Sequence, residues 1–286
     1  MKSAYARGLL LLASSSVIFS LMSVLARFAT SISPFIITSS RFTVGITVIA
    51  GLTLLRAIEL KAVNWKWLLL RGFFGAFGVY LFYFGIQKLG LGKGTVLNYT
   101  YPVFAALIAP ALLKDRLNLD VLAAVGAAFL GIYLVVSPGG LFAVSRDALL
   151  ALCGGAAAGV AIVAVKRLRD TDSPYIIYLS QCVCGLAVVG LPALKAPFFF
   201  PPSGWLILIG IGLLSTLAQL IMTYAFKLVA ATEGSLIGFL VPVFNVALGV
   251  LLFGESIRLQ TLIGSLLVLL CCVYVAVRER IFRRVL

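Results

Sequence analysis

Arg41 is the residue of this sequence best equipped for ionic chemistry. It stands about a turn and a half into an apolar stretch. A guanidinium inside a hydrocarbon layer is expensive unless it is paired or hydrated, and functional use is the default reading. Its planar donors suit a carboxylate or phosphate held through two parallel bonds. The competing readings are snorkelling to the outer surface and pairing with helix-end carbonyls. Tyr80, Tyr83, Phe84 and Gln87 follow at i, i+3, i+4 and i+7, on one helical face. That face either lines a cavity or forms packing and an interfacial aromatic belt. Gly94, Asn98 and Tyr101 repeat the pattern, with Pro102 next. An amide in the hydrocarbon region needs partners, and Pro102 frees a backbone carbonyl near it. The pair could orient a ligand or serve an interhelical hydrogen bond. Further along come Tyr178, Gln181 and Cys182, then Ser215, Gln219, Met222 and Thr223. Each lone glutamine reads equally as site or as helix glue. The candidate substrate contacts are therefore Arg41, Tyr80, Tyr83, Asn98, Tyr101, Gln181 and Gln219.

Other chemistries lack their residues. The chain has no histidine, which removes His-based acid–base catalysis, Ser-His-Asp triads and His-ligated metals. The five cysteines, Cys153, Cys182, Cys184, Cys271 and Cys272, all fall inside apolar runs and read as small core residues. No catalytic set, metal site or cofactor is expected, and an embedded enzyme is the weakest alternative. The nine acids are Glu59, Asp115, Asp120, Asp147, Asp170, Asp172, Glu233, Glu255 and Glu279. All map to loops or span ends, so no titrating carboxylate is expected at mid-membrane. That favours a facilitator or exchanger, or coupling through a cavity-mouth acid such as Glu233. Glu233 also fits an ordinary helix N-terminal cap.

The elements that position these residues must be membrane spans. Of the 286 residues, 62% are hydrophobic and 11% charged, where soluble domains carry roughly 25% charge. Mean hydropathy is +1.15. About ten apolar runs can be drawn: 8–29, 35–55, 67–87, 94–113, 118–137, 147–165, 174–194, 204–226, 232–253 and 258–277. Each is near the roughly 20 residues a span needs. The net charge of +14 lies mostly in their flanks, which argues against nucleic acid as partner. With the N-terminus in the cytoplasm, the inside holds 16 Lys and Arg, Arg71 among them, and the outside 7. Both termini then read as cytoplasmic. Short loops leave almost no extramembrane domain, so the work is done inside the bilayer.

The two halves match at an offset of 140 residues. Ser33-Pro34-Phe35-Ile36-Ile37 falls on Ser173-Pro174-Tyr175-Ile176-Ile177, Arg27 on Arg167, Arg41 on Gln181, and Gly94-Thr95 on Gly234-Ser235. Pro102-Val103-Phe104 falls on Pro242-Val243-Phe244, and Asp115 on Glu255. One residue of slippage is needed between Lys88 and Lys227. Five spans per copy force the second copy to enter the membrane from the opposite side. The expected fold is all-α integral membrane, with ten transmembrane helices as two inverted five-helix repeats, 1–140 and 141–286, forming one transport domain. Inverted symmetry supplies two states of similar energy around one central site. Gly155 and Gly159, or Ala127 and Gly131, read as close helix contacts. Gly75, Gly78 and Gly85 could let the third span bend.

Ten spans, two repeats and this length resemble the drug/metabolite transporter superfamily, and more narrowly its EamA-type permeases. Arg41 after Ser33-Pro34 is similar to that family's arginine in the same helix. Pro102 and Pro242, followed by Asp115 and Gly254-Glu255, look like its proline–acidic pattern in spans four and nine. Asn98-Tyr99-x-Tyr101-Pro102 is similar to a stretch in the aromatic and neutral amino-acid exporters, departing at Tyr101, where that branch carries tryptophan. The resemblance implies export or exchange of a small metabolite. It also implies a cavity lined by spans one to four and six to nine, with spans five and ten bracing the sides. The expectation is a secondary transporter for an amino acid or related compound, working by alternating access in the cytoplasmic (inner) membrane. Its partners are a small-molecule substrate and the lipid bilayer, and it is a monomer or weak homodimer. The alternatives are a channel or facilitator for small polar solutes and, further off, a membrane-embedded enzyme.

Overall fold

The computed structural model describes residues 2–113, 119–136, 145–197, 200–225, 228 and 237–285. Lys114, Asp115 and Arg116, the Ser137–Gly140 turn, Lys227, Glu233 and the Gly234-Ser235 match lie outside the described residues. Every regular element among the described residues is an α-helix. They are α1 (Lys2–Phe28), α2 (Pro34–Leu54), α3 (Trp65–Leu89), α4 (Leu91–Asn98), α5 (Tyr101–Leu113), α6 (Leu119–Val136), α7 (Arg146–Leu168), α8 (Pro174–Lys195), α9 (Pro202–Ala225), α10 (Leu240–Phe253) and α11 (Leu259–Val285). Seven described stretches are long and apolar enough to cross a membrane, the fourth being α4 and α5 taken together. Leu122–Val135, Leu240–Phe253 and Leu259–Tyr274 form shorter apolar helices.

The caps explain where several helices begin and end. Ser33 and Ser173, matched in the repeat, both stand at N-cap with proline at the first helical position. Ser33 Oγ accepts from Phe35 N (3.3 Å) and Ser173 Oγ from Ile176 N (3.3 Å). Each satisfies a donor that the helix itself leaves orphaned. The fourth apolar run is broken at Tyr99–Thr100, between α4 and α5. Pro102 has no N–H to return to the carbonyl of Asn98, so the helix cannot run through. α7 closes on that break through Gly155, where a Cβ would sit 2.6 Å from the Leu97 carbonyl oxygen. Gly159 meets Tyr101 and Phe104 in the same way, and Gly131 of α6 lies against Gly264 of α11. These small residues are close helix contacts, as the sequence suggested.

Helix pairing follows the duplication. α3 packs on α7, and their counterparts α9 and α1 pack on each other. α3 on α8 is matched by α9 on α2, and α5 on α7 by α10 on α1. Two pairs exchange with themselves, α2 with α8 and α6 with α11, and α4 also packs on α10, so that the fourth apolar run meets the ninth. α6 and α11 share an apolar cluster, through Val125, Ala128, Val268 and Cys272, with Leu97 of α4, Val103 of α5 and Ala148 and Ala151 of α7. Asp172, in the turn before α8, ties the halves together at one end. Its Oδ1 accepts from the backbone N–H of Val63 (2.6 Å) and Asn64 (3.2 Å), directly before α3.

Candidate functional site

Arg41 is 5% exposed. Its Nη1 donates to Tyr83 Oη of α3 (3.2 Å) and lies 3.9 Å from Met22 Sδ of α1. Tyr83, fully buried, passes its own proton toward Met22 Sδ (3.3 Å). These acceptors are neutral, and Arg41 Nε has no partner. A second guanidinium stands close by. Arg71 Nη2 donates to Gln181 Oε1 of α8 (2.8 Å), and Gln181 Nε2 donates to the Gly75 carbonyl (2.9 Å). Arg71 Nε is likewise buried without a partner. Gly75 makes room for this arrangement, because a Cβ there would overlap the Arg71 guanidinium.

One face of α8 joins the two arginines. Tyr178 and Cys182, a helical turn apart, reach Gly45 of α2, where a Cβ would meet Tyr178 Oη at 2.7 Å and Cys182 Sγ at 2.9 Å. Gly45 is one turn beyond Arg41, and Gln181 adjoins Cys182 in sequence. Tyr178 Oη in turn shares a hydrogen bond with Thr216 Oγ1 of α9 (3.1 Å). Both guanidinium groups lie within electrostatic reach of Tyr178, of Cys182 and of each other. Among the described residues no carboxylate bridges to either arginine; the ion pairs found are Arg27–Glu255 and Arg169–Asp170. The result is a doubly positive cluster built from both halves of the chain, with Arg41 buried and Arg71 half-buried.

The structure brings Arg41, Tyr83 and Gln181 into this cluster; the other candidate residues make separate contacts. Tyr80 stacks on Phe35, with ring centroids 4.4 Å apart. Asn98 Nδ2 reaches the Gly78 carbonyl of α3 at 3.5 Å, as an interhelical contact beside Gly154. Tyr101 packs against Tyr99 at 5.7 Å, and Tyr99 packs on the side of the α6–α11 cluster. Gln219, half-buried on α9, is one turn from Thr216 and makes no hydrogen bond among the described residues. Gln87 secures the end of α1, donating to the carbonyls of Ala29 (2.6 Å) and Ile32 (3.0 Å). Sequence reasoning placed Arg71 among the cytoplasmic flanking charges; its side chain instead turns inward over Gly75. The available signal was an arginine followed by glycine at i+4, almost two turns inside a span. Asn245 was also missed: its Nδ2 donates to Thr95 Oγ1 (2.8 Å), while its Oδ1 is buried and unpartnered. A groove of about 420 Å³ is lined by Phe35, Leu191, Pro192, Lys195 and Ala196; its Phe35 is the ring that stacks on Tyr80.

A second polar cluster closes one end of the bundle. Arg27 Nε pairs with Glu255 Oε1 (3.0 Å), and Arg27 Nη1 donates to the Gln87 carbonyl (3.1 Å). The same carboxylate accepts from the backbone N–H of Leu91 (2.7 Å) and Gly92 (3.2 Å) at the start of α4. Anions are favoured at such helix starts. Gly90, at φ +95°, and Gly249 leave the space the carboxylate fills; a Cβ on either would lie 2.6 Å from it.

The sequence profile of the EamA-like transporter family matches the chain twice, over residues 6–137 and 146–277. The second match starts 140 residues after the first, the offset of the internal repeat. The pseudopaline exporter CntI of Pseudomonas aeruginosa is 27% identical over 270 residues, covering 93% of this chain and 94% of that protein. An uncharacterized transporter of Archaeoglobus fulgidus is 27% identical over 263 residues, covering 87% and 90%. The riboflavin transporter of Vibrio cholerae is 25% identical over 226 residues, covering 76% and 73%. A solved crystal structure superposes with a TM-score of 0.61 at 18% identity, covering 94% and 95% of the two chains, and shares the fold. With apolar helices throughout and the family profile spanning both halves, the chain is a multi-pass membrane protein and belongs to the EamA-like transporter family.

Proposed function

We propose that this protein exports a small polar metabolite across the cytoplasmic membrane by alternating access, with both termini in the cytoplasm. The observation that carries the proposal is the polar cluster of buried Arg41, Tyr83 and Gln181 with half-buried Arg71. It draws on α2, α3 and α8, so both repeats build one site. A buried arginine with unspent donors is costly in a membrane interior and marks a substrate path. The helix pairing, which exchanges with itself when the halves are swapped, supports ten spans arranged as inverted repeats, 1–140 and 141–286. Such symmetry gives a carrier two related states around one site. The substrate carries at least one acidic group for Arg41, as amino acids and their relatives do. Tyr80, Asn98, Tyr101 and Gln219 line the site once it opens. The direction of transport follows the exporter among the relatives.

The test compares culture media from cells overproducing the wild type, cells overproducing Arg41→Ala, and cells with empty vector. The wild type should enrich a small set of polar metabolites in the medium, and Arg41→Ala should remove that enrichment at equal protein level. Identical media in all three would overturn the reading. Counterflow of an enriched compound in proteoliposomes then separates a carrier, which exchanges, from a channel, which does not.

A further inference from the structure

We propose that the transported metabolite is an organic anion with two acidic groups, one held by Arg41 and the other by Arg71. This rests on the transport reading above and sharpens its substrate class. Both side chains stay charged under all physiological conditions. Each guanidinium has five N–H donors, yet the acceptors found for them are Tyr83 Oη, the Met22 sulfur and Gln181 Oε1. Both Nε atoms are buried and unpartnered. Two like charges in one cluster, Arg41 buried and Arg71 half-buried with its Nε sealed off, call for neutralisation from outside the chain. A singly charged ligand would leave one guanidinium uncompensated; a dianion satisfies both. The geometry fits this count. At about 1.5 Å per residue, Arg41 enters roughly 10 Å from the start of α2. Arg71 enters roughly 9 Å from the start of α3, which begins at the opposite end of the bundle. The guanidinium of Arg71 then reaches a further turn inward to Gly75. The two charges therefore approach the middle of the layer from opposite sides, and one short ligand could touch both.

Among amino acids and their relatives, the cluster disfavours a zwitterion with a single acidic group. Its neighbours Tyr83, Tyr178, Cys182, Thr216 and Gln181 are neutral. No described carboxylate is there to receive an ammonium group.

The experiment measures binding to the full-length protein in lipid nanodiscs, by thermal shift and by displacement of labelled succinate. The probes are succinate, glutarate and glycerol 3-phosphate as dianions, butyrate as the singly charged match, and succinamide as the neutral one. Each extra guanidinium contact is a charge-assisted bond, so a dianion should bind about tenfold or more tighter than butyrate. Which dianion binds best separates a dicarboxylate from a phosphate ester. Arg41→Gln and Arg71→Gln should each bring dianion affinity down to about that of butyrate. Arg71→Lys keeps the charge, should retain the preference, and serves where Arg71→Gln does not fold. Equal affinity for succinate and butyrate, binding of succinamide alone, or an unchanged preference in Arg71→Gln would overturn the proposal. If none of the probes binds, the metabolite enriched in the medium decides: two acidic groups and lost binding in Arg71→Gln uphold it, and a neutral or singly charged compound refutes it. In that last case transport itself still stands, whereas unchanged media would remove both readings.

Discussion

Arg41 is held for function at a cost to the empty fold. Its guanidinium is closed in with a phenol and a thioether as partners, and one donor has none. Methionine would fill much of the same volume without a charge or an orphaned donor. Arg41→Met should therefore raise the melting temperature of the ligand-free protein, by an amount equivalent to roughly 1–3 kcal/mol. The same variant should lose every ligand-induced shift. A melting temperature that falls would show that the Tyr83 bond outweighs the buried charge. Arg41 stood out in the sequence because an isolated charge in an apolar run is conspicuous in any context. Arg71 did not, because an arginine near the start of a span looks like an ordinary flanking charge. What separates them is a side-chain direction, set by Gly75 and by Gln181 on a helix about 110 residues away. Spacing within one helix carries no trace of such a partner. Tyr83 and Gln181 were legible as members of polar faces, but the faces alone did not show that each would hold a different arginine.

Asp172, in the turn before α8, links that turn to the segment leading into α3. Thr171 Oγ1 donates to its Oδ2 (2.6 Å), and the N–H groups of Val63 and Asn64 donate to its Oδ1. Burial pushes the carboxyl pKa up, but these bonds and the Asn64 amide outweigh it and hold the group below the usual aspartate value. A depressed pKa means the ionised form stabilises the fold. That contribution is complete above the unfolded value, near pH 4, and is lost as pH falls through the folded one. Asp172→Asn should cost about 1–2 kcal/mol at neutral pH. The gap in melting temperature between wild type and Asp172→Asn should be constant above about pH 5 and shrink below about pH 4. A gap that widens on acidification would mean that the carboxylate is not the stabilising form. The Ser-Pro pairs that start α2 and α8 were readable as a repeat, because N-capping is local chemistry. The Asp172 clamp was not readable, since its partners lie more than 100 residues away. The sequence reads as one run over 94–113, with Pro102 only freeing a carbonyl near Asn98; the structure breaks the helix there and directs Asn98 at α3.

For the whole molecule, the Arg27–Glu255 cluster ties several helices together at one end of the bundle. Arg27, Gln87, Glu255 and the first N–H groups of α4 join α1, α3, α4 and the end of α10. By the repeat register the counterpart of Glu255 is Asp115 and that of Arg27 is Arg167, a pair that an inverted arrangement would put at the opposite end. If the molecule alternates, the Arg27–Glu255 latch must break when its own end opens. The ion pair is partly exposed, at 23% and 17% for the two side chains, so the charge pair alone holds modest energy. The Leu91 and Gly92 N–H groups add a component that salt does not screen away as readily. Glu255→Gln keeps the shape and weakens both components. It should shift the population toward the state open at this end, by as much as the latch stabilises the closed one. Cys182 reports the shift, because it is fully buried beside Gly45 in the present state. With Cys182 as the sole cysteine, a small membrane-impermeant thiol reagent applied from the latch side should label Glu255→Gln several-fold faster than its latched parent. From the opposite side the rate should fall. A uniform rise from both sides would indicate loosening of the fold, and no change would show that this latch does not govern opening.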